Sequence, residues 1–204
     1  MRHRIFIAIN LPEDTKKKLL DYQSKWLELP CRWTKKENLH ITLMFLGYLS
    51  DEELLGVLKI TKEVALRHQS FSISLKKILY GPPKKMPPRM VWTEGEKSEE
   101  FAALRDDLEK SLTTSEQVHF SPEERAFSPH ITLGRIKAWE FRQIDPEERP
   151  IVDEEINLSF EVNSIEVMES ELKRGGPEYT ILESALLGSL QENPKPKAQN
   201  PKPF

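Results

Sequence analysis

Cysteine is almost missing from this chain: Cys31 is the single thiol in 204 residues. That excludes an intrachain disulfide framework and leaves too few thiolates for a structural zinc site. Long apolar runs are missing too. No stretch reaches the roughly 18 residues of a membrane span, and the short apolar segment from Arg4 ends at Asn10-Leu11-Pro12 without a charged-then-apolar leader, so a cytoplasmic protein is expected, with no membrane partner. The glycine-rich loops of nucleotide folds are lacking, since neither GxGxxG nor a GxxxxGK followed by Ser or Thr is present. Positive charge is also in short supply. The net charge is −3, and Lys195, Lys197 and Lys202 against Glu192 put +2 on the last fourteen residues, leaving −5 on the body. A protein that held long RNA by its backbone would need an extended basic surface. A groove with a few cations, drawn from Arg125, Arg135 and Arg174, is the most that this composition supports, so any contact with a polyanion must be local.

What the chain does contain is one tetrapeptide twice. His-Ile-Thr-Leu occurs at His40 to Leu43 and again at His130 to Leu133. Histidine is scarce, five in all, and two of the five carry Thr at the same offset. Strand residues two apart share a face at roughly 7 Å, so each copy, if extended, presents an imidazole beside a hydroxyl: His40 with Thr42, His130 with Thr132. Two such strands across one groove would supply two groups that exchange protons near neutral pH, flanked by two neutral hydrogen-bond donors. That set suits a phosphate. His3, His68 and His119 lack the Thr and read as surface or structural histidines.

The rest alternates helix and strand. A strand is expected over Arg4 to Asn10, then a helix opened by Pro12, Glu13 and Asp14 and carried to Leu27 before Pro30 stops it. The first motif strand spans about Leu39 to Leu46; Ser50-Asp51-Glu52-Glu53 is a capping box opening a helix to about Arg67. Alternation at Phe71, Ile73 and Leu75 marks a strand, Met90 to Thr93 another after a Gly81 to Pro88 connector, and Phe101, Leu104, Leu108 and Leu112 form a helical stripe. The second motif strand runs His130 to Lys137, followed by an acidic, proline-bounded connection, strands at Leu158 to Val162 and Ser164 to Ser170, and a last strand near Tyr179 to Leu187. One domain over 1–188 is expected, with a polar, proline-interrupted tail at 189–204 too poor in apolar residues to order.

Beyond the motifs themselves, RIFIAINLP at Arg4 to Pro12, RWTKKENLHITLMFLG at Arg32 to Gly47, RMVW at Arg89 to Trp92, RAFSPHITLGRI at Arg125 to Ile136 and GGPEYTIL at Gly175 to Leu182 together resemble the 2H phosphoesterase superfamily. Within it the chain is similar to the RNA 2′,3′-cyclic phosphodiesterases formerly called 2′-5′ RNA ligases, over about residues 4 to 187. The resemblance implies an α+β fold of two pseudo-symmetric lobes, each an antiparallel sheet with outer helices, around a central groove. It implies hydrolysis of RNA 2′,3′-cyclic phosphate ends to 2′-phosphates, with reversible 2′-5′ ligation as a side capacity, on RNA ends or small cyclic nucleotides. No cofactor or metal is expected, and the chain is expected to be a monomer.

Opening a cyclic phosphate in line needs a base on the attacking side and an acid on the departing side, which two histidines across a groove provide, each contributing typically ~10²–10⁴-fold. Thr42 and Thr132 would donate to the non-bridging oxygens. The residues alone leave open which histidine does which; the resemblance implies His40 as proton donor and His130 as acceptor. Phe6, Trp92 and Tyr179 stand on segments resembling groove walls, with core packing as the competing reading, and Arg125 precedes the second motif within reach of a phosphate. Arg135, five residues after His130, has the wrong parity for the groove face of an undistorted strand, so a structural ion pair competes with phosphate contact. A non-catalytic phosphate or nucleotide-end binder on the same fold is the alternative of a different class. A metallohydrolase would need HExxH or carboxylates beside the motifs, which are not there.

Overall fold

The structure is a computed structural model that describes residues 2–83, 86–122 and 128–188. Arg125 and the tail from 189 onward lie outside the described residues, so neither expectation about them is addressed by it.

The first strand, β1 (His3–Asn10), is buried along most of its length because it is apolar on both faces. Ile5, Ile7 and Ile9 face the main core while Phe6 and Ala8 face the other way and form a small second cluster with Met168 and Tyr179. Helix α1 (Glu13–Gln23) opens after Pro12 with two acidic residues in its first turn. It stops as an α-helix four residues short of Leu27 and tightens into a 3-10 turn at Ser24–Trp26. Tertiary contacts explain the early end: the Gln23 amide donates to the carbonyls of Thr34 and Leu133, both at 3.0 Å, and Ser24 Oγ donates to Asp21 O at 2.6 Å. A three-residue strand, β2 (Cys31–Trp33), and a 3-10 turn at Lys36–Asn38 lead to β3 (His40–Leu49). Helix α2 (Asp51–Ala65) carries the expected capping box, with Glu53 N donating to Ser50 Oγ at 3.2 Å and Ser50 N to the Glu53 carboxylate at 2.8 Å.

Strands β4 (Phe71–Gly81) and β5 (Met90–Gly95) form a hairpin, and α3 (Glu99–Thr113) buries Phe101, Leu104, Leu108 and Leu112. Then come β6 (His130–Ile136), the short α4 (Ala138–Gln143), β7 (Asp153–Val162), β8 (Ser164–Lys173) and β9 (Gly176–Leu186). Both β2 and α4 are absent from the sequence expectation, being too short to show a period; α4 is held by one apolar anchor, Phe141, whose ring meets that of Tyr80 edge-on at 5.9 Å. Among the described residues no helix is long and apolar enough to cross a membrane.

The strands form one antiparallel sheet in the order β7-β4-β5-β6-β3-β1-β8-β9, with β2 added against β6. Its two four-stranded halves are related by a pseudo-two-fold: the motif strand is innermost in each, β6 on one side and β3 on the other. They join at a single residue pair, Ile41 with Ile131. Helices α2 and α3 pack on each other, α2 also against β8 and β9, and α1 against β7. The α+β, two-lobed expectation describes this architecture, with the two half-sheets meeting edge to edge.

Each motif strand carries a bulge at the same place. Opposite β1, Ile7 pairs with Met44 and Ala8 with Thr42, leaving Leu43 unpaired; opposite β5, Val91 pairs with Gly134 and Trp92 with Thr132, leaving Leu133 unpaired. A second irregularity skips Leu46, next to Gly47 at φ +77°, a left-handed conformation that glycine adopts without penalty. Gly134 is needed for a different reason. A Cβ there would lie 2.4 Å from Cys31 Sγ and 2.8 Å from the Trp33 ring. Gly134→Ala is therefore expected to destabilise the fold by about 1–3 kcal/mol, read as a lower urea midpoint at unchanged m-value; a midpoint equal to that of the parent would show that β2 yields freely.

Candidate active site

Ile41 and Ile131 are both fully buried and directly paired, so the residues flanking them turn to the opposite face of the sheet. The antiparallel sense of this pair puts His40 on the side of Thr132 and Thr42 on the side of His130, with His130 near enough for its charge to act on His40. Two imidazoles and two hydroxyls thus alternate around one square, each histidine facing the other strand's threonine. The four residues taken from the repeated tetrapeptide are brought together.

The ring orientations follow from the backbone. His40 Nδ1 donates to Asn38 O at 2.8 Å, and His130 Nδ1 donates to Ser128 O at 2.9 Å, in each case to the carbonyl two residues back. A carbonyl only accepts, so the proton of each neutral ring sits on Nδ1 and leaves Nε2 as a basic atom. In His40 that Nε2 accepts from the Thr42 hydroxyl at 3.0 Å. Burial pushes the His40 pKa down to about 4; the nearby positive charges of Lys16 and Arg135, and His130 when protonated, add to the shift, while the Asn38 carbonyl works against it. His130 is lowered as well, again chiefly by burial, with the Ser128 carbonyl and the Glu94 carboxylate opposing and Arg135 adding.

Aromatic side chains back both rings. Phe6 lies 5.1 Å and Tyr179 5.2 Å, edge-on, from His40, and the two aromatics meet at 5.0 Å. The Trp92 indole packs 4.2 Å from His130. Phe6 and Trp92 are 3% and 7% exposed, so core packing is what the structure shows for them, with a site histidine as one packing partner of each.

Arg135 requires a correction. Its odd offset from His130 argues for the far face only if the strand is regular, and the unpaired Leu133 inserts one residue that resets the alternation. Arg135 is exposed on the motif face: Arg135 Nη1 and Thr132 Oγ1 both approach Met90 Sδ, at 3.8 and 3.9 Å, and its charge depresses the pKa values of His40 and His130. The matching bulge at Leu43 does the same for Phe45, also five residues past its histidine, which is 60% exposed and 6.2 Å from Phe6. Phe45, Met90, Lys16 and Asn38 are site neighbours that the sequence reading missed. For Phe45 a signal existed, since it occupies in HITLMF the place that Arg135 occupies in HITLGR. Arg174 lies in the turn closing the β8–β9 hairpin.

The other chemical candidates are structural. Burial pushes the Cys31 thiol up to about 12, which makes it inert. His3 bridges Glu169 at 2.7 Å and Asp51 at 2.8 Å, His68 meets Asp107 at 2.9 Å, and His119 meets Glu53 at 3.1 Å.

The arrangement offers two basic nitrogens, two hydroxyl donors and one guanidinium on one face of the sheet, a set suited to moving protons on either side of a phosphoryl group. Comparison with known proteins agrees. A family model described as LigT like phosphoesterase matches residues 9–92 and 94–179. An RNA 2′,3′-cyclic phosphodiesterase of Thermus thermophilus is 31% identical over 207 residues, 97% of this chain and 96% of that protein. The crystal structure of TT0787 of Thermus thermophilus superposes with a TM-score of 0.77 at 31% identity, covering 90% of this chain and 97% of that one. A crystal structure of E. coli LigT complexed with 3′-AMP superposes at 0.72 with 26% identity, covering 93% and 100%.

Because desolvation dominates both histidines, the His40 ring resonance is expected to titrate near pH 4 in the free protein and at higher pH once inorganic phosphate is bound, since an adjacent anion stabilises the imidazolium. An NMR titration giving a free-state value at or above the ordinary 6.5 would contradict the burial described.

Proposed function

The chain belongs to the LigT-like phosphoesterases of the 2H superfamily, and from that premise we propose that it hydrolyses RNA 2′,3′-cyclic phosphate ends to 2′-phosphates, with His40 and His130 as the acid–base pair. The observation that carries the reading is the square of two histidines and two threonines around the Ile41–Ile131 pair. Because its substrate is RNA, we assign the enzyme's work to the cytoplasm.

The cyclic phosphate sits over the square with its phosphorus between the two Nε2 atoms. His130, its Nδ1 proton held by Ser128 O, takes a proton from water through Nε2 as the water attacks phosphorus in line. His40 enters protonated and gives its Nε2 proton to the departing O3′, so the P–O3′ bond breaks and the phosphate remains on O2′. Protonation of His40 has a second effect. The Thr42 hydroxyl, which donates to the neutral ring, is released and donates to a non-bridging oxygen, with Thr132 doing so from the other strand. The Arg135 guanidinium, free to leave the Met90 sulfur for a better acceptor, binds the same oxygens. With a 5′-hydroxyl in place of water the same pair would make a 2′-5′ linkage.

A low His40 pKa in the free enzyme is not an obstacle. The active form requires one imidazolium and one imidazole, and the arriving anion raises both pKa values. The bell for kcat/KM, set by the free enzyme, is therefore expected to centre below pH 6.5, and the bell for kcat to lie at higher pH. Profiles with the two maxima in the reverse order would count against the assignment.

Phosphorus NMR of the product from a nucleoside 2′,3′-cyclic phosphate tests activity and regiochemistry together. His40→Ala and His130→Ala are each expected to lower turnover at least ~100-fold without unfolding the chain. Thr42→Val and Thr132→Val should each cost about 1–3 kcal/mol in transition-state stabilisation. Near-parental turnover in either histidine variant would sink the mechanism, and the same assays repeated with a chelator test for a metal requirement.

A further inference from the structure

Beside His40, outside the square, a cavity of about 490 Å³ opens between the start of α1, the 3-10 turn at Lys36–Asn38 and strands β8 and β9. It touches the site directly. Asn10, on its wall, pairs with His40 in the β1–β3 register, and Tyr179 on the opposite wall is the ring packed on His40. The turn that brings Lys36 also brings Asn38, whose carbonyl orients the His40 ring.

Two cations meet there. Lys16 is 5% exposed, and its ammonium lies 3.5 Å from Glu13 Oε1; Lys36 Nζ is 2.6 Å from Glu13 Oε2. One carboxylate thus spreads its two oxygens between two ammonium groups, as a phosphodiester would spread its two non-bridging oxygens. Glu13 itself is largely exposed, on a helix end from which its side chain can swing into solvent without disturbing the core. In this cavity Glu13 and Lys36 face Lys16 together with the exposed Glu37.

The stereochemistry of the substrate says which anion comes next. In the reaction above O3′ leaves toward His40. C3′ continues through C4′ and C5′ to the 5′ oxygen, whereas the base departs from C1′ on the O2′ side. The phosphodiester upstream of the terminal nucleoside is therefore directed to the His40 flank. We infer that Lys16 and Lys36 hold this upstream phosphodiester in place of the Glu13 carboxylate, a subsite that makes the enzyme prefer an RNA end to a lone cyclic nucleotide. The inference rests on the cyclic-phosphate reading of the square and deepens it.

The test compares kcat/KM for a dinucleotide ending in a 2′,3′-cyclic phosphate with that for the corresponding nucleoside 2′,3′-cyclic phosphate, in the full chain at low salt. The parent enzyme is expected to prefer the dinucleotide by about tenfold or more, the worth of one charge-assisted contact to phosphate. Lys36→Ala should reduce that preference about fivefold or more, chiefly through KM, and Lys36→Arg should keep it within about twofold. Glu13→Gln, which removes the competing charge, should raise it. Added salt should erode it in the parent and less so in Lys36→Ala. Equal factors on the two substrates in Lys36→Ala, or a preference lowered by Glu13→Gln, would overturn the subsite while leaving the activity standing. A parent inactive on both substrates would instead overturn the cyclic-phosphate reading, and the subsite with it.

Discussion

Everything at this site hangs on one pair of residues. Among the described residues Ile41 and Ile131 are the one backbone-paired position between the two half-sheets, and both are fully buried. Because strand side chains alternate, burying this pair forces its four neighbours onto the opposite face, and because the pairing is antiparallel it crosses histidine with threonine. A register slip of one residue would bury the histidines and expose the isoleucines, losing apolar burial on one face while stranding two imidazoles in the core. The same apolar energy that joins the lobes therefore sets the reacting groups. Stability and catalytic geometry are one constraint here.

Desolvation then shapes the chemistry. The aromatic backing of Phe6 and Tyr179 on His40 and of Trp92 on His130 takes both rings out of water and lowers both pKa values. In the resting enzyme the square is neutral; Arg135 on the motif face and Lys16 behind His40 bring positive charge to it, and Glu94 brings negative charge to the His130 side. An anion entering this surrounding is stabilised by the positive charges and in turn stabilises an imidazolium, so the pair acquires its working protonation state with the substrate. Carbonyls at Asn38 and Ser128 fix the tautomers, which keeps Nε2 of both rings directed at the groove in either charge state.

The two lobes are alike in backbone and unlike in their flanks. Bulges at Leu43 and Leu133 turn the fifth residue after each histidine into the groove, and there the symmetry ends: one strand presents an exposed aromatic, Phe45, and the other a guanidinium, Arg135. The lysine pair on Glu13 stands beside His40. A pseudo-symmetric frame thus has two unlike flanks, and the proposed reaction uses them differently, with water on the His130 side and the leaving oxygen on the His40 side.

How much of this was legible beforehand depends on the range of the interactions involved. The repeated tetrapeptide, its scarce histidines, the strand periods around it, the Ser50 capping box and the apolar stripe of α3 are local patterns, and each appears in the structure where the sequence implies it. Local alternation could not foresee the bulges, and that is why Arg135 reads as facing away and Phe45 passes unnoticed; an unpaired residue is defined by the neighbouring strand. The early end of α1 depends on Gln23 reaching Thr34 and Leu133, and the depressed pKa of His40 on walls contributed by β1 and β9. Residue types and their spacing along one strand determined the chemical vocabulary of this protein: two imidazoles, two hydroxyls, few cations. Which of them share a face across strands, how dry they are and which charges stand beside them was decided by packing between segments far apart in the chain, because desolvation and cross-strand register exist only once those segments meet.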